Sequence, residues 1–255
     1  MSDKKKILLA GESWVTTATH IKGFDQFPTV TFHRGADGFI DALKDLPFEI
    51  TWMPCHEAQT DFPSDVEGLN AYDAIILSDI GSNTLLLHPD TWIHSKPTPN
   101  RLIALEQYVA EGGGLAMIGG YYSFQGINGG ARYHNTPVEA VLPVTIHPYD
   151  DRIEVPQGLR PQAAGDHPIL AGIEGEWPLL LGFNEVRAKP DAVVLAEAGE
   201  TYRNLPIVAV GEHGKGRSLV WTSDIGPHWL PNEALAWPHF ARLWGQALDW
   251  LTGGR

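Results

Sequence analysis

Four short apolar runs separated by helical patterns fill the first half of the chain, and this alternation restricts it to an α/β architecture with a parallel sheet. KKILLAGES (5–13), FEITWMPC (48–55), YDAIILSDI (72–80) and LAMI (115–118) read as the strands. Between the first two, Phe39, Ile40, Leu43 and Leu46 recur at helical spacing. YDAIILSDI is the most continuous run, as expected of a central strand covered on both faces. Beyond a loop rich in Pro, Thr and Ser, Asn100 is placed to cap a helix carrying Leu102, Leu105 and Val109, which Gly112, Gly113 and Gly114 close.

The second half has a different texture. VEAVLPVTIHP (138–148) and DAVVLAEA (191–198) are strand-like, and LPIVAVGEHGKGRSLVWTSD (205–224) reads as two strands joined by a Gly-rich turn. A β-rich C-terminal extension is therefore expected, either added to the sheet or lying over it. Phe240, Leu243, Trp244, Ala247, Leu248 and Leu251 form one apolar stripe, the clearest helix of the chain, with Gly253 after its end. With no internal repeat and no linker, residues 1–255 read as a single domain, and 43% hydrophobic content is enough to fill its core.

Charge and cysteine usage narrow the function classes. Eighteen basic residues face 31 acidic ones, net −13, which disfavours nucleic acid and anionic membranes as partners. The apolar stretch behind the basic start, Ile7 to Ala10, is too short for a signal peptide, and no run approaches transmembrane length. One cysteine, Cys55, leaves no disulfide framework and fits a reducing cytoplasm. GEHGKGR (211–217) lacks P-loop spacing, and the glycines at 112–120 precede their strand and put Met117 where the third glycine of G-x-G-x-x-G belongs, so no cofactor of the dinucleotide kind is expected. Eleven histidines form no H-x-H or H-E-x-x-H pair. No metal is assigned, which leaves only a site assembled from distant positions such as Glu12, Asp79 and His228.

Ligands of open parallel sheets bind outside the carboxyl ends of the strands. That rule selects Glu12, Ser13 and Trp14 after the first strand, Cys55 and His56 after the second, Asp79 after the third, and Tyr121, Tyr122 and Ser123 after the fourth. Asp224, His228 and Trp229 join them from TSDIGPHW, which follows the last strand-like run. At each position an ordinary cap or turn role competes with a functional one. In GGYYSFQG (119–126) no G-x-S-x-G is present, Ser123 is placed to cap a following helix, and tyrosine is a poor nucleophile at its ordinary pKa near 10. Cys55 beside His56 reads as a structural thiol, since neighbouring side chains of a strand point to opposite faces.

EGGGLAMIGGYYSFQG, DHPILAGI (166–173), GKGRSLVWTSDIGPHW (214–229) and LWGQALDWL resemble the class I glutamine amidotransferase-like superfamily, in its uncharacterised branch near the ThuA-like proteins. The resemblance runs over nearly the whole chain and implies a flavodoxin-like sheet. It also implies a cysteine on the turn after LAMI, where this chain has Gly119, Gly120, Tyr121 and Tyr122, so glutamine hydrolysis lacks its nucleophile. His228 stands where the late histidine of ThuA-like proteins would be.

Three hypotheses follow. The first is an enzyme of hydrolase or isomerase type with Glu12, Asp79 and His228 as acid/base groups. Its ligand is a small polar molecule, carbohydrate-like because Trp14, Tyr121, Tyr122 and Trp229 offer flat faces to a sugar ring. The second is a non-catalytic binding or homo-oligomer-forming protein, motivated by nine tryptophans, several of them between 221 and 250. The third, glutaminase activity through a recruited Cys55, has least support.

Overall fold

The computed structural model describes residues 4–253; Met1 to Asp3, which open the basic start, lie outside the described residues, as do the last two. Strands are numbered along the chain. A mixed sheet of eight runs in the order β4 (Phe48–Met53), β1 (Lys5–Gly11), β5 (Ala74–Ser78), β6 (Gly114–Ile118), β14 (Gly216–Trp221), β13 (Pro206–His213), β12 (Val193–Glu197) and β9 (Gln162–Ala163). From β4 to β14 every pairing is parallel; from β14 to β9 every pairing is antiparallel. The fold is thus α/β, and the strands of the second half extend the same sheet and make it mixed. Smaller pairs complete the inventory: β2 (Ser13–Lys22) with β3 (Asp25–Arg34), β7 (Val144–Ile146) with β11 (Val186–Ala188), and β8 (Arg152–Leu159) with β10 (Leu180–Asn184).

Alternation along the central strands divides two cores. Ile7 and Leu9 of β1, Ala74 and Ile76 of β5, and Ala116 and Ile118 of β6 face one layer. Their neighbours Leu8, Ala10, Ile75, Leu77, Leu115 and Met117 face the other. The first layer is closed by the helix Phe240–Thr252, whose Trp244 meets Phe39 edge to face at 5.0 Å. Leu248 of that helix is fully buried. Leu248→Ala should therefore cost about 2–5 kcal/mol, through lost transfer energy and an unfilled cavity, read as a lower urea midpoint with an unchanged slope.

The expected helix after Asn100 spans Arg101–Ala110, and the Asn100 side chain accepts from the N–H groups of Leu102 and Ile103. Two local expectations are corrected. VEAVLPVTIHP begins as a short helix, Pro137–Val141, because Thr136 caps it through Glu139 N–H and Pro137 is preset for a first helical turn; only Val144–Ile146 is strand. Residues 13–34, where no strands were expected, form an antiparallel ribbon of ten residue pairs that turns at Gly23 with φ +66°. No helix among the described residues is long and apolar enough to cross a membrane.

Candidate functional site

The register of the parallel strands explains why distant residues meet. Gly11 pairs with Ser78, Ser78 with Ile118 and Ile118 with Trp221, so four strands end in one row. The residues just beyond this row carry the polar chemistry. Glu12 and Asp79 both leave their strands in the left-handed region, at φ 51° and 44°, a conformation rarely adopted by such residues and one that tight surrounding structure must hold. Glu12 is fixed by its N–H to Ser78 O (2.9 Å) and by Gly35 N–H to its carbonyl (2.8 Å). The fit over its side chain is close: a Cβ on Gly35 would lie 2.6 Å from Glu12 Oε2. Asp79 accepts from Tyr122 N–H at 2.6 Å and donates its own N–H to Ser123 Oγ at 3.1 Å.

These groups line a cleft of about 430 Å³ formed by Glu12, Trp14, Asp79, Tyr121, Tyr122, Asp224, Gly226, Pro227 and His228. A volume of this size is typical of small-molecule sites. A second cleft of about 390 Å³ opens between Thr60 and Arg101, but the Arg101 guanidinium is occupied by the carbonyls of Ala58, Gln59, Thr60 and Leu85. The titratable cluster is in the first.

Seven of the residues selected from sequence line this cleft, and three stand behind its wall. Ser13 Oγ accepts from Cys55 N–H, Ser123 Oγ accepts from Asp79 N–H in place of capping a helix, and Trp229 Nε1 donates to Glu154 Oε2 at 2.9 Å. Cys55 lies outside the cleft lining with its Sγ 3.8 Å from Asp79 O, and burial pushes its thiol pKa up. His56 is well exposed on the helix Cys55–Asp61.

Burial dominates the electrostatics. It drives Glu12 well above the usual carboxylate range, with the charges of Asp224 and Asp79 adding to the effect. Asp224, hydrogen-bonded to Glu12, is pushed up to about 8 by burial and then by Asp79, although the N–H groups of Gly226 and Ile225 pull the other way. Asp79 is raised by burial and moderated by Tyr122 N–H and His228. Two buried carboxyls in hydrogen-bond contact share a proton near neutral pH, since both cannot ionise at low cost. His228 Nδ1 lies 3.4 Å from Asp224 Oδ2, and burial pushes the imidazole pKa down, so the ring is neutral beside a proton-bearing pair. Among the described residues no group of three or more His, Cys, Asp or Glu is arranged to hold a metal ion.

A second layer of the site came from segments that gave no sequence signal. Tyr121 donates to Glu154 Oε1 (3.0 Å), the Arg152 guanidinium stacks on the Tyr121 ring at 4.8 Å, and His228 meets that ring edge-on at 4.1 Å. The turn GGYYSFQG is held from behind. Asn184 accepts from Gly120 N–H and donates to Asp151, which also accepts from Gln125 N–H and Gly126 N–H. Gly120 itself, at φ +139°, passes so near Asp79 that a Cβ would lie 2.8 Å from Oδ1.

Fold and site together define an α/β chain with a carboxylate-lined cleft at the carboxyl edge of its parallel strands. By a family model matching residues 6–253, the chain belongs to the family described as "Putative glutamine amidotransferase". Two solved structures from Salmonella typhimurium are similar over nearly their full length. "Cytoplasmic Protein STM3548" is 39% identical, with 96% of this chain and 98% of that one covered at a TM-score of 0.91. "Cytoplasmic Protein STM1381", from strain LT2, is 41% identical, with 96% and 99% covered at 0.90. A ThuA-like protein from Bacteroides uniformis shares the fold at 14% identity, with 97% and 91% covered and a TM-score of 0.55. No curated protein matches the chain.

Proposed function

We propose that the cleft binds a small polar, carbohydrate-like molecule and moves a proton on it by general acid/base chemistry of the hydrolase or isomerase type. The observation that carries this reading is that Glu12 and Asp224 are both buried and hydrogen-bonded to each other in the wall of an open cleft, an arrangement that favours keeping a transferable proton on the pair near neutral pH. Its protonated member acts as the acid. Neutral His228, 3.4 Å from Asp224, acts as the base or relays the proton, and Asp79, aimed by Tyr122 N–H, orients a ligand hydroxyl. Trp14, Tyr121 and Tyr122 supply flat faces for a ring.

Glutamine hydrolysis is not part of this proposal despite the family description. The turn after β6 presents Gly119, Gly120 and Tyr121, and a thioester route has no thiol there. The descriptions of the two Salmonella relatives support a cytoplasmic setting.

A panel of monosaccharides, sugar acids and polyols, followed by tryptophan fluorescence and thermal shift, tests the proposal. A ligand should bind, and His228→Ala should lower turnover of that ligand about 10²-fold or more. If His228→Ala leaves both binding and turnover unchanged, the chemistry assigned to this cleft is wrong.

A further inference from the structure

The ribbon β2–β3 is the feature of the molecule that the site does not explain. It is anchored at its root: Ser13 is buried, Arg34 pairs with Asp37 and lies 4.3 Å over the Trp52 ring, and Gly35 N–H binds Glu12 O. Beyond the root, ten-residue strands project with nearly every residue exposed. A two-stranded ribbon is marginally stable in water unless one face is packed.

The pairing separates its two faces. On one, Trp14 stacks on His33 at 4.9 Å and His20 on Phe27 at 4.7 Å, while Thr16 bonds His33 and Thr29 bonds His20, both at 3.0 Å. This face satisfies itself, and it carries Trp14 into the cleft. The opposite face presents Val15, Ile21, Pro28, Val30 and Phe32, interspersed with Thr17, Thr19 and Gln26, with no charged side chain beyond Arg34; Phe32 meets His56 edge-on at 5.3 Å near the root. Ile21 is 72% and Val30 69% exposed. Exposed apolar stripes of this kind mark association surfaces.

We infer that the Ser13–Arg34 ribbon is a self-association arm whose apolar face is covered by a second copy of this chain. Charge points to that occupant: with Lys22 set against Asp25 and Arg34 already paired with Asp37, the arm is near neutral within a chain of net charge −13, so it is the element that two acidic copies can bring together with least repulsion. Area points the same way. A ribbon about 33 Å long and about 10 Å wide offers about 330 Å² per face, well under the ~800 Å² that each partner of a stable interface gives. A two-fold arrangement, in which each copy gives one arm and receives another, about doubles that figure, whereas a foreign partner taking one face does not. Because Trp14 is on the other face, the dimer leaves the cleft open.

Sedimentation velocity of the full chain at about 1–50 µM tests the arm independently of the acid/base reading. The wild type should sediment as a dimer or larger symmetric oligomer. Val30→Asp and Ile21→Asp should each weaken association at least about tenfold, with unchanged thermal melting of the monomer, because each buries a charge in the interface only. Thr31→Asp, on the self-satisfied face of the same strand, should leave association unchanged. A wild type that stays monomeric across this range overturns the inference and leaves a foreign protein or a lipid surface as the occupant. So does an oligomer that both apolar-face variants leave intact.

Discussion

At pH 8 the Asp224→Asn variant is expected to melt about 10 °C or more above the wild type, and at pH 4 the two should melt nearly together. The unfolded chain ionises Asp224 near 3.8, the folded chain only near 8. Between those values the folded protein holds a proton that the unfolded chain has released. Stability therefore falls as pH rises through the window, by up to about 1.4 kcal/mol per pH unit, and levels off above it. Below pH 4 both states are protonated, and the carboxyl costs nothing. Asparagine keeps the Oδ1 that accepts from Ile225 and Gly226 N–H, and it removes the ionisable group, so the gain appears only where the wild type is penalised. The residual slope belongs to Glu12 and Asp79, which burial raises in the same direction. His228 acts in the opposite sense: with its pKa pushed down, it favours folding above its unfolded value and loses that contribution as pH falls. Melting curves of both proteins at pH 4, 6 and 8, compared as differences, check the prediction. An equal difference at all three pH values would show that Asp224 ionises normally in the folded chain.

That such a pair exists was half visible in the sequence. Parallel strands end on one edge, so the residue after each apolar run is a site candidate by geometry alone, and Glu12, Asp79, Tyr121 and Asp224 were reached in this way. Their mutual distances were not legible, because they depend on the register that aligns Gly11, Ser78, Ile118 and Trp221. Arg152 and Glu154 lay in RIEVPQGL, where alternation holds for four residues and is then broken by Pro156 and Gly158. Asp151 and Asn184 are buried polar groups whose role is set by partners distant in sequence, and no periodicity reports them. The arm escaped for a different reason. Alternation signals a strand with one face buried in its own chain, and both faces of VTTATHI and PTVTFH mix apolar and hydroxyl residues. A fold read from its core pattern omits the element that has no core.

The second large effect concerns catalysis. Glu12→Gln is expected to lower turnover of the cleft's ligand about 10²–10⁴-fold while leaving its affinity within a few-fold. Glutamine preserves the volume beneath Gly35, keeps an oxygen for the Ser78 hydroxyl and offers an N–H to Asp224. What it removes is the shared proton. Burial and Asp79 still hold the Asp224 pKa high, but with an amide in place of one carboxyl the pair can no longer pass a proton between its members, and the cleft loses the acid that Glu12 supplies. The loss should therefore fall on kcat, and the pH profile should lose the limb that the carboxyl pair controls. Steady-state kinetics across pH, alongside direct titration of ligand binding, separate the possibilities. A variant that loses affinity with kcat intact makes Glu12 a binding residue, and one that keeps full turnover removes the carboxyl pair from the mechanism. In the opposite case, where neither protein turns over any ligand that both bind, the chain uses this fold for binding alone, and the strained Glu12 and Asp79 then serve to aim acceptors at a ligand's hydroxyl groups.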